Sequence, residues 1–252
     1  MVCNQHSFTA IYIFRAVSAS VRMRLRPFFV TWHRFIGMEA DKCAKTINFA
    51  LNNEKIPMSP IQNVCVYSAS STQIPPVYFD AATRLGQLLA QHDITVINGA
   101  GKIGLMGAVS DAALKQGGKV TGVIPRFMVE RGWNHEGLTQ LKVVDDMHQR
   151  KEMMAAMSDA VIALPGGCGT LEELLEIITW KQLGLYLKPI VILNVDHYFD
   201  PLIEMLQRAI DEHFMRAMHS GLWEVAETPE EAVELVQTLP EWDDRVGKFA
   251  AI

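Results

Sequence analysis

The run Leu164-Pro165-Gly166-Gly167-Cys168-Gly169-Thr170-Leu171-Glu172-Glu173 joins an apolar stretch to a strongly helical one. A glycine-rich turn in that place suits an anion. Glycines let the backbone approach a phosphate closely, successive N–H groups converge, and the following helix offers its positive end. Thr170 adds a hydroxyl and can cap the helix; a tight strand-to-helix turn without a ligand is the plainer alternative. Carboxylates in a first helical turn usually complement the helix dipole, and Glu172 is read so. Glu173 is the candidate to face a bound phosphate ester, where it would stabilise developing positive charge or orient a water. Spacing alone leaves the choice between the two carboxylates open.

A second cluster, Asn98-Gly99-Ala100-Gly101-Lys102-Ile103-Gly104-Leu105-Met106-Gly107, satisfies G-x-G-x-x-G formally. The dinucleotide fingerprint also needs an acidic residue at the end of the next strand, and that strand ends in Pro125-Arg126. NAD is disfavoured, with NADP held by Arg126 a remote alternative. Neither cluster continues into G-K-[ST], so a Walker A loop is excluded. A third element, Asp145-Asp146-Met147-His148-Gln149-Arg150-Lys151-Glu152, carries adjacent cations. Arg150 suits bidentate contact with phosphate or ribose oxygens. His148 is expected to cap or pack, and Cys168, lacking a histidine nearby in sequence, to fill a small-residue slot.

These residues need a scaffold that brings distant loops together. From Asn63 onward short β-branched runs alternate with helical patterns, which implies an α/β fold with an open, mostly parallel sheet flanked by helices. The expected strands are Val64–Tyr67, Ile94–Asn98, Val120–Ile124, Leu141–Val144, Ala160–Leu164 and Ile190–Asn194, with a short seventh near Trp223–Val225. Apolar residues at helical spacing predict helices over Pro76–Gln91, Leu171–Leu183, Pro201–Phe214 and Pro229–Leu239, the last two capped by Asp200 and Thr228. The apolar positions Leu174, Ile177 and Ile178 fit either the sheet or another subunit. Ligands of such sheets sit at the carboxyl ends of the strands. The long connection Pro125–Gly137, with Arg126, Arg131, Trp133 and His135, fits a lid or a loop docked by Trp133.

Composition bounds the function. The 252 residues are 49% hydrophobic and 20% charged with a formal net charge of -5, an ordinary globular balance that points to neither a nucleic-acid nor an anionic-membrane partner. No apolar run approaches the roughly 20 residues that span a bilayer. Cys3, Cys43, Cys65 and Cys168 form no C-x-x-C pair, so reduced thiols and a cytoplasmic setting are expected. The first acidic residue is Glu39, after Arg15, Arg22, Arg24, Arg26 and Arg34. Residues 1–60 are therefore expected to be an extension, poorly ordered or partly helical, its native start at Met38 or its Arg-bearing end a transit peptide. Residues 61–240 make the domain, and 241–252 a tail that frays.

Pro165 to Glu173 resembles the P-G-G-x-G-T-x-x-E motif of the LONELY GUY (LOG) family, and Met147-His148-Gln149-Arg150-Lys151 its M-H-x-R-K element. The likeness continues through Gly104–Gly107, Gly122–Pro125, Ser158–Ala160, Ile178–Trp180, Gln182–Gly184 and Lys188–Pro189, covering roughly residues 63–214. The resemblance implies a Rossmann-like fold, a homodimer or larger homo-oligomer with sites near the interface, and no metal or organic cofactor. It implies phosphoribohydrolase activity on cytokinin riboside 5'-monophosphates or AMP, as in an AMP nucleosidase, so the expected partner is a small-molecule nucleotide. It makes Arg150 and Glu173 the catalytic pair. Lys151 and Gly166, Gly167, Cys168, Gly169 and Thr170 would contact the nucleotide, with Ser70, Gly101 and Met147 as further contacts. Ser68-Ala69-Ser70-Ser71 and Ala100 depart from the family's C-G-S-S and G-G-G-x-x-G loops, adding methyl groups where backbone approaches ligand. The family's other label, lysine decarboxylase, would require a Schiff-base lysine, and no His-Lys dipeptide is present. A nucleotide or phosphorylated-cofactor carrier of the same fold is the alternative function.

Overall fold

The computed structural model describes residues 61–242; the expected extension, with Met38, and most of the expected tail lie outside them. The strands are β1 (Asn63–Tyr67), β2 (Thr95–Asn98), β3 (Val120–Pro125), β4 (Gln140–Val144), β5 (Ala160–Ala163), β6 (Ile190–Leu193) and β7 (Glu224–Ala226). The helices are α1 (Pro76–Gln91), α2 (Gly104–Lys115), α3 (Arg126–Glu130), α4 (Met147–Met157), α5 (Cys168–Gln182), α6 (Asp200–Asp211) and α7 (Pro229–Thr238). All strand pairs are parallel, in the order β4-β3-β2-β1-β5-β6-β7. The order reverses between β1 and β5, and a crevice opens at such a switch point beyond the carboxyl ends.

Alternation along each strand sends neighbouring side chains to opposite faces. Val64 and Val66 meet α1, α2 and α7 through Leu85, Leu89, Leu105, Val109 and Val233. Cys65 and Tyr67 face the other way, onto α4, α5 and α6 through Met154, Leu174, Ile177 and Ile210. Leu174, Ile177 and Ile178 are thus committed to the sheet. Burying a leucine or isoleucine of this kind contributes roughly 1.5–3 kcal/mol. Helices α1 and α2 approach closely because Gly86 has no side chain: a Cβ there would lie 2.3 Å from the Val109 carbonyl oxygen.

Pro76 opens α1 at a position where its missing N–H costs nothing. Thr228 caps α7 by accepting from the Glu231 N–H. The expected cap of α6 is corrected: Asp200 is the first helical residue and Phe199 occupies the cap. The Asp200 carboxylate is engaged elsewhere, accepting from Asn194 Nδ2 at 2.7 Å and pairing with His197 at 3.3 Å. Residues 125–137 contain α3 and a segment stitched to the glycine turn after β2. The His135 N–H donates to the Ala100 carbonyl at 2.8 Å and the Lys102 N–H to that of Trp133 at 3.3 Å. Backbone bonds dock this connection, while the Trp133 ring stays 46% exposed with the Arg131 guanidinium 5.1 Å from its centre. Trp242, in the expected tail, packs back: its N–H donates to the Leu187 carbonyl at 2.6 Å and its ring approaches Gly221.

Candidate active site

The chain leaves β5 at Ala163 and turns through Leu164–Gly166 into α5, with Gly167 as an extended N-cap. Leu171 makes the first helical bond, its N–H donating to the Gly167 carbonyl at 3.0 Å. The amides of Cys168, Gly169 and Thr170 precede that bond and point from the positive end of the helix. Gly167, Cys168 and Gly169 are exposed; Gly166 and Thr170 are buried. A Cβ on Gly166 would fall 2.1 Å from Thr170 Oγ1, so the turn closes only with glycine there. The connection after β1 supports the loop, as the Ala69 N–H donates to the Pro165 carbonyl at 3.2 Å. From the far side Tyr198 Oη donates to the Gly166 carbonyl at 2.8 Å.

Helix α4 begins beside this loop. Asp146 caps it, its carboxylate accepting from the N–H groups of His148 and Gln149 at 2.8 and 2.9 Å. That cap fixes the first turn, and Arg150 points from it into the protein, 6% exposed. Arg150 Nε donates to the Val123 carbonyl on β3 at 3.1 Å, and Nη1 donates to Glu173 Oε1 at 3.2 Å. Glu173 is 7% exposed on the second turn of α5; the first turn, expected to hold Glu172 and Glu173, carries no acidic residue, because the helix already starts at Cys168. Two residues 23 positions apart in sequence therefore form one buried ion pair behind the glycine turn.

Burial raises the Glu173 pKa above its ordinary value and the Arg150 charge holds it down, with burial winning. A buried carboxyl whose affinity for a proton is raised in this way is suited to taking a proton from a bound water. Lys151, beside Arg150, turns to the opposite side of α4's first turn and meets Glu172 and Glu176, the latter at 3.1 Å. Burial depresses its pKa, and hydrogen bonds to Glu172 and then Glu176 outweigh that, leaving it raised. Glu172 thus neutralises Lys151 besides lying near the positive end of α5.

The remaining predicted contacts spread around the rim. Met147 is exposed at the start of α4; Ser70 is exposed, its backbone packed under Gly104. The Gly101 N–H donates to Met106 Sδ at 3.0 Å. Ala100 differs from expectation: its methyl is fully buried over Gly122 and faces the interior, so it takes no space from a ligand. His148 is exposed with its backbone in the cap, and Cys168 is a free, exposed thiol. Tyr198 was not foreseen. It reaches the loop because Asp196 and His197 adopt left-handed torsions, φ 51° and 59°, which turn the chain sharply after β6. Asn194 secures the turn, its Oδ1 accepting from the Phe199 N–H at 2.7 Å.

A family model described as possible lysine decarboxylase matches residues 106–236. The chain is 44% identical over 195 residues to a probable cytokinin riboside 5'-monophosphate phosphoribohydrolase, LOGL2, of Oryza sativa subsp. japonica, covering 77% of this chain and 80% of the relative. It is 44% identical over 192 residues to the cytokinin riboside 5'-monophosphate phosphoribohydrolase LOG7 of Arabidopsis thaliana, covering 76% and 88%. The chain belongs to the LOG family. Among solved structures, the LOG chain resembles the molybdenum cofactor carrier protein of Chlamydomonas reinhardtii with a TM-score of 0.56 and 20% identity over 71% of this chain and 97% of the other. At that identity the likeness concerns the fold. The decarboxylase description finds no support in Lys151 of the LOG site: a Schiff base forms through a neutral amine, and Glu172 and Glu176 hold this one as ammonium.

Proposed function

We propose that the chain hydrolyses the N-glycosidic bond of a purine nucleoside 5'-monophosphate, AMP or a cytokinin riboside monophosphate, to free base and ribose 5-phosphate. The observation that carries the reading is the buried Arg150–Glu173 pair, at 3.2 Å, beside a glycine turn whose residues Gly167, Cys168 and Gly169 are exposed. The relatives named as phosphoribohydrolases support it.

In this reading the 5'-phosphate sits on the amides of Gly167–Thr170, where the helix N-terminus favours the anion. Gly166 shapes the turn, and Ser70, Gly101 and Met147 line the rim. Arg150 steadies the ribose and phosphate end. The Glu173 carboxylate orients a water toward C1' and offsets the positive charge that grows there as the C1'–N bond lengthens. The water oxygen bonds to C1', the bonding pair leaves with the base, and the water's proton passes to the carboxylate. Lys151 acts through Glu172 and Glu176, tying α4 to the N-terminal half of α5. The reaction consumes only water and calls for no cofactor.

Phosphate binding remote from C1' organises the reacting centre, so substrates lacking the phosphate should lose rate as well as affinity. The test is release of base from AMP and isopentenyladenosine monophosphate, followed by chromatography beside adenosine, Glu173→Ala and Arg150→Ala. Base released from both nucleotides and abolished by both substitutions is the expected result. Nucleotide bound without release would overturn the reading and leave a carrier.

The same reading makes residues 61–240 the catalytic domain, in a cytoplasmic setting that suits the free thiols of Cys65 and Cys168. It also makes the protein a homodimer or larger homo-oligomer. Leu175, Leu183 and Leu185 are 39%, 47% and 71% exposed along and just beyond α5, a surface suited to a second copy. Light scattering that returned a monomer would remove this part alone.

A further inference from the structure

Gly99 follows β2 and is buried against the Arg150 side chain. A Cβ placed on it would lie 1.6 Å from Arg150 Nη2, 2.7 Å from Cζ and 3.2 Å from Nε. Non-bonded heavy atoms need about 3.5 Å, so the guanidinium fills the space a side chain would take. Backbone torsion is not what demands glycine here. Among the described residues the glycines with left-handed φ are Gly104, Gly117, Gly132 and Gly184, whereas Ala100, the residue after Gly99, has φ 61° and still carries its methyl. The usual order is inverted: the strained position keeps a side chain and the unstrained one lacks it. Ala100 has room over Gly122; Gly99 has none, because the guanidinium is there.

We infer that Gly99 is a positioning residue of the active site, its missing side chain giving the Arg150 guanidinium the one place from which it reaches both the Val123 carbonyl and Glu173. The inference rests on the reading that Arg150 acts on the nucleotide, and it assigns a duty to the second glycine cluster, whose phosphate-loop likeness the proposed reaction does not use. The obstructed atoms end a flexible side chain, so an added methyl displaces the guanidinium and leaves the backbone in place. A displacement of about 1 Å at a reacting centre can cost 10²-fold in rate.

The experiment compares the full chain with Gly99→Ala, Arg150→Ala and the double variant. Gly99→Ala is expected to lower kcat for base release about 10²-fold. Its KM should change far less, since the amides of Gly167–Thr170 are untouched. The Arg150 Nε–H resonance, held by the Val123 carbonyl, should shift and exchange faster with solvent. With the guanidinium removed the methyl has room, so the double variant should match Arg150→Ala in melting temperature and residual activity. Wild-type kcat with an unchanged Nε–H resonance in Gly99→Ala would overturn the inference. So would a loss of stability as large in the Arg150→Ala background as in the unmodified chain. If Gly99→Ala alone does not fold, a folded double variant supports the steric account and an unfolded one refutes it. Should the unmodified chain release no base, the hydrolase reading fails while the resonance and the melting cycle still decide the role of Gly99.

Discussion

Tyr198 donates its phenolic hydrogen to the Gly166 carbonyl at 2.8 Å, joining the turn after β6 to the turn after β5. The ring is braced edge-on by Tyr78 and Phe199, with centroids 5.8 and 5.1 Å away. The bond orients a peptide of the loop assigned to the phosphate. Tyr198→Phe keeps the ring and removes one hydrogen bond of about 0.5–1.5 kcal/mol. The expected result is a KM for AMP raised roughly two- to tenfold with kcat little changed, measured by steady-state base release.

Burial lifts the Glu173 carboxyl above its ordinary value and Arg150 opposes the rise. Because the carboxylate is the proposed active form, kcat/KM should fall with acid along a limb centred above the ordinary carboxylate pKa of about 4.3. Replacing Arg150 by Gln removes the opposing charge and should move the limb of the residual activity to higher pH. The sign for stability follows from the same shift. The folded chain holds this proton more tightly than the unfolded one, so stability from this group declines as pH rises through the raised value. Glu173→Gln should flatten that decline in urea titrations across the acid range.

Lys181 is 4% exposed at the end of α5, with its ammonium 5.7 Å from the Trp242 ring centre. Burial pushes its pKa down to about 8, with Glu224 opposing. Below that pH the chain carries the cost of a buried charge, and the cost fades once the amine is neutral. Lys181→Met should therefore stabilise the protein at pH 7 by roughly 1–2 kcal/mol after loss of the cation–π contact. The gain should shrink as pH rises above 8, as followed by thermal melting across that range.

Gly86 lets α1 lie against α2, and a methyl there would meet the Val109 carbonyl at 2.3 Å and Ala112 Cβ at 3.1 Å. The obstruction is backbone, so the helices must separate. Gly86→Ala should destabilise by about 1–3 kcal/mol in urea unfolding. Activity per folded molecule should persist, since α1 and α2 cover the sheet face opposite Arg150 and Glu173.

The strands were legible because β-branched runs such as Val64–Val66 and Ile190–Ile192 are buried on both faces. Helix α4 was harder to see, since its inward face carries Arg150 and Lys151 beside Met154 and Ala155, and a charged buried face gives no apolar stripe. The glycine turn and both members of the ion pair were readable as residues, but their contact was not, because it depends on β3, β2, β1 and β5 lying in that order across the sheet. Tyr198 left no trace because its approach depends on two consecutive left-handed torsions at Asp196 and His197, which these residue types tolerate but do not dictate. The ligand-facing role expected of Ala100 failed for a related reason: side-chain direction at φ 61° cannot be read from a motif.

Arg150 stands on the first turn and Glu173 on the second turn of helices that are sunk in the core through Met154, Leu174 and Ile177. Groups mounted on such elements keep their spacing better than groups carried on loops. The rim is different, being made largely of the connections after β1 and β2, at Ser70 and Gly101, with Met147 at the start of α4. Recognition and bond cleavage are thus assigned to separable parts of one chain. Exchanging rim segments between relatives would retune the choice of base while the cleaving apparatus travels unchanged, so diversification of such a scaffold can proceed by swapping its margins.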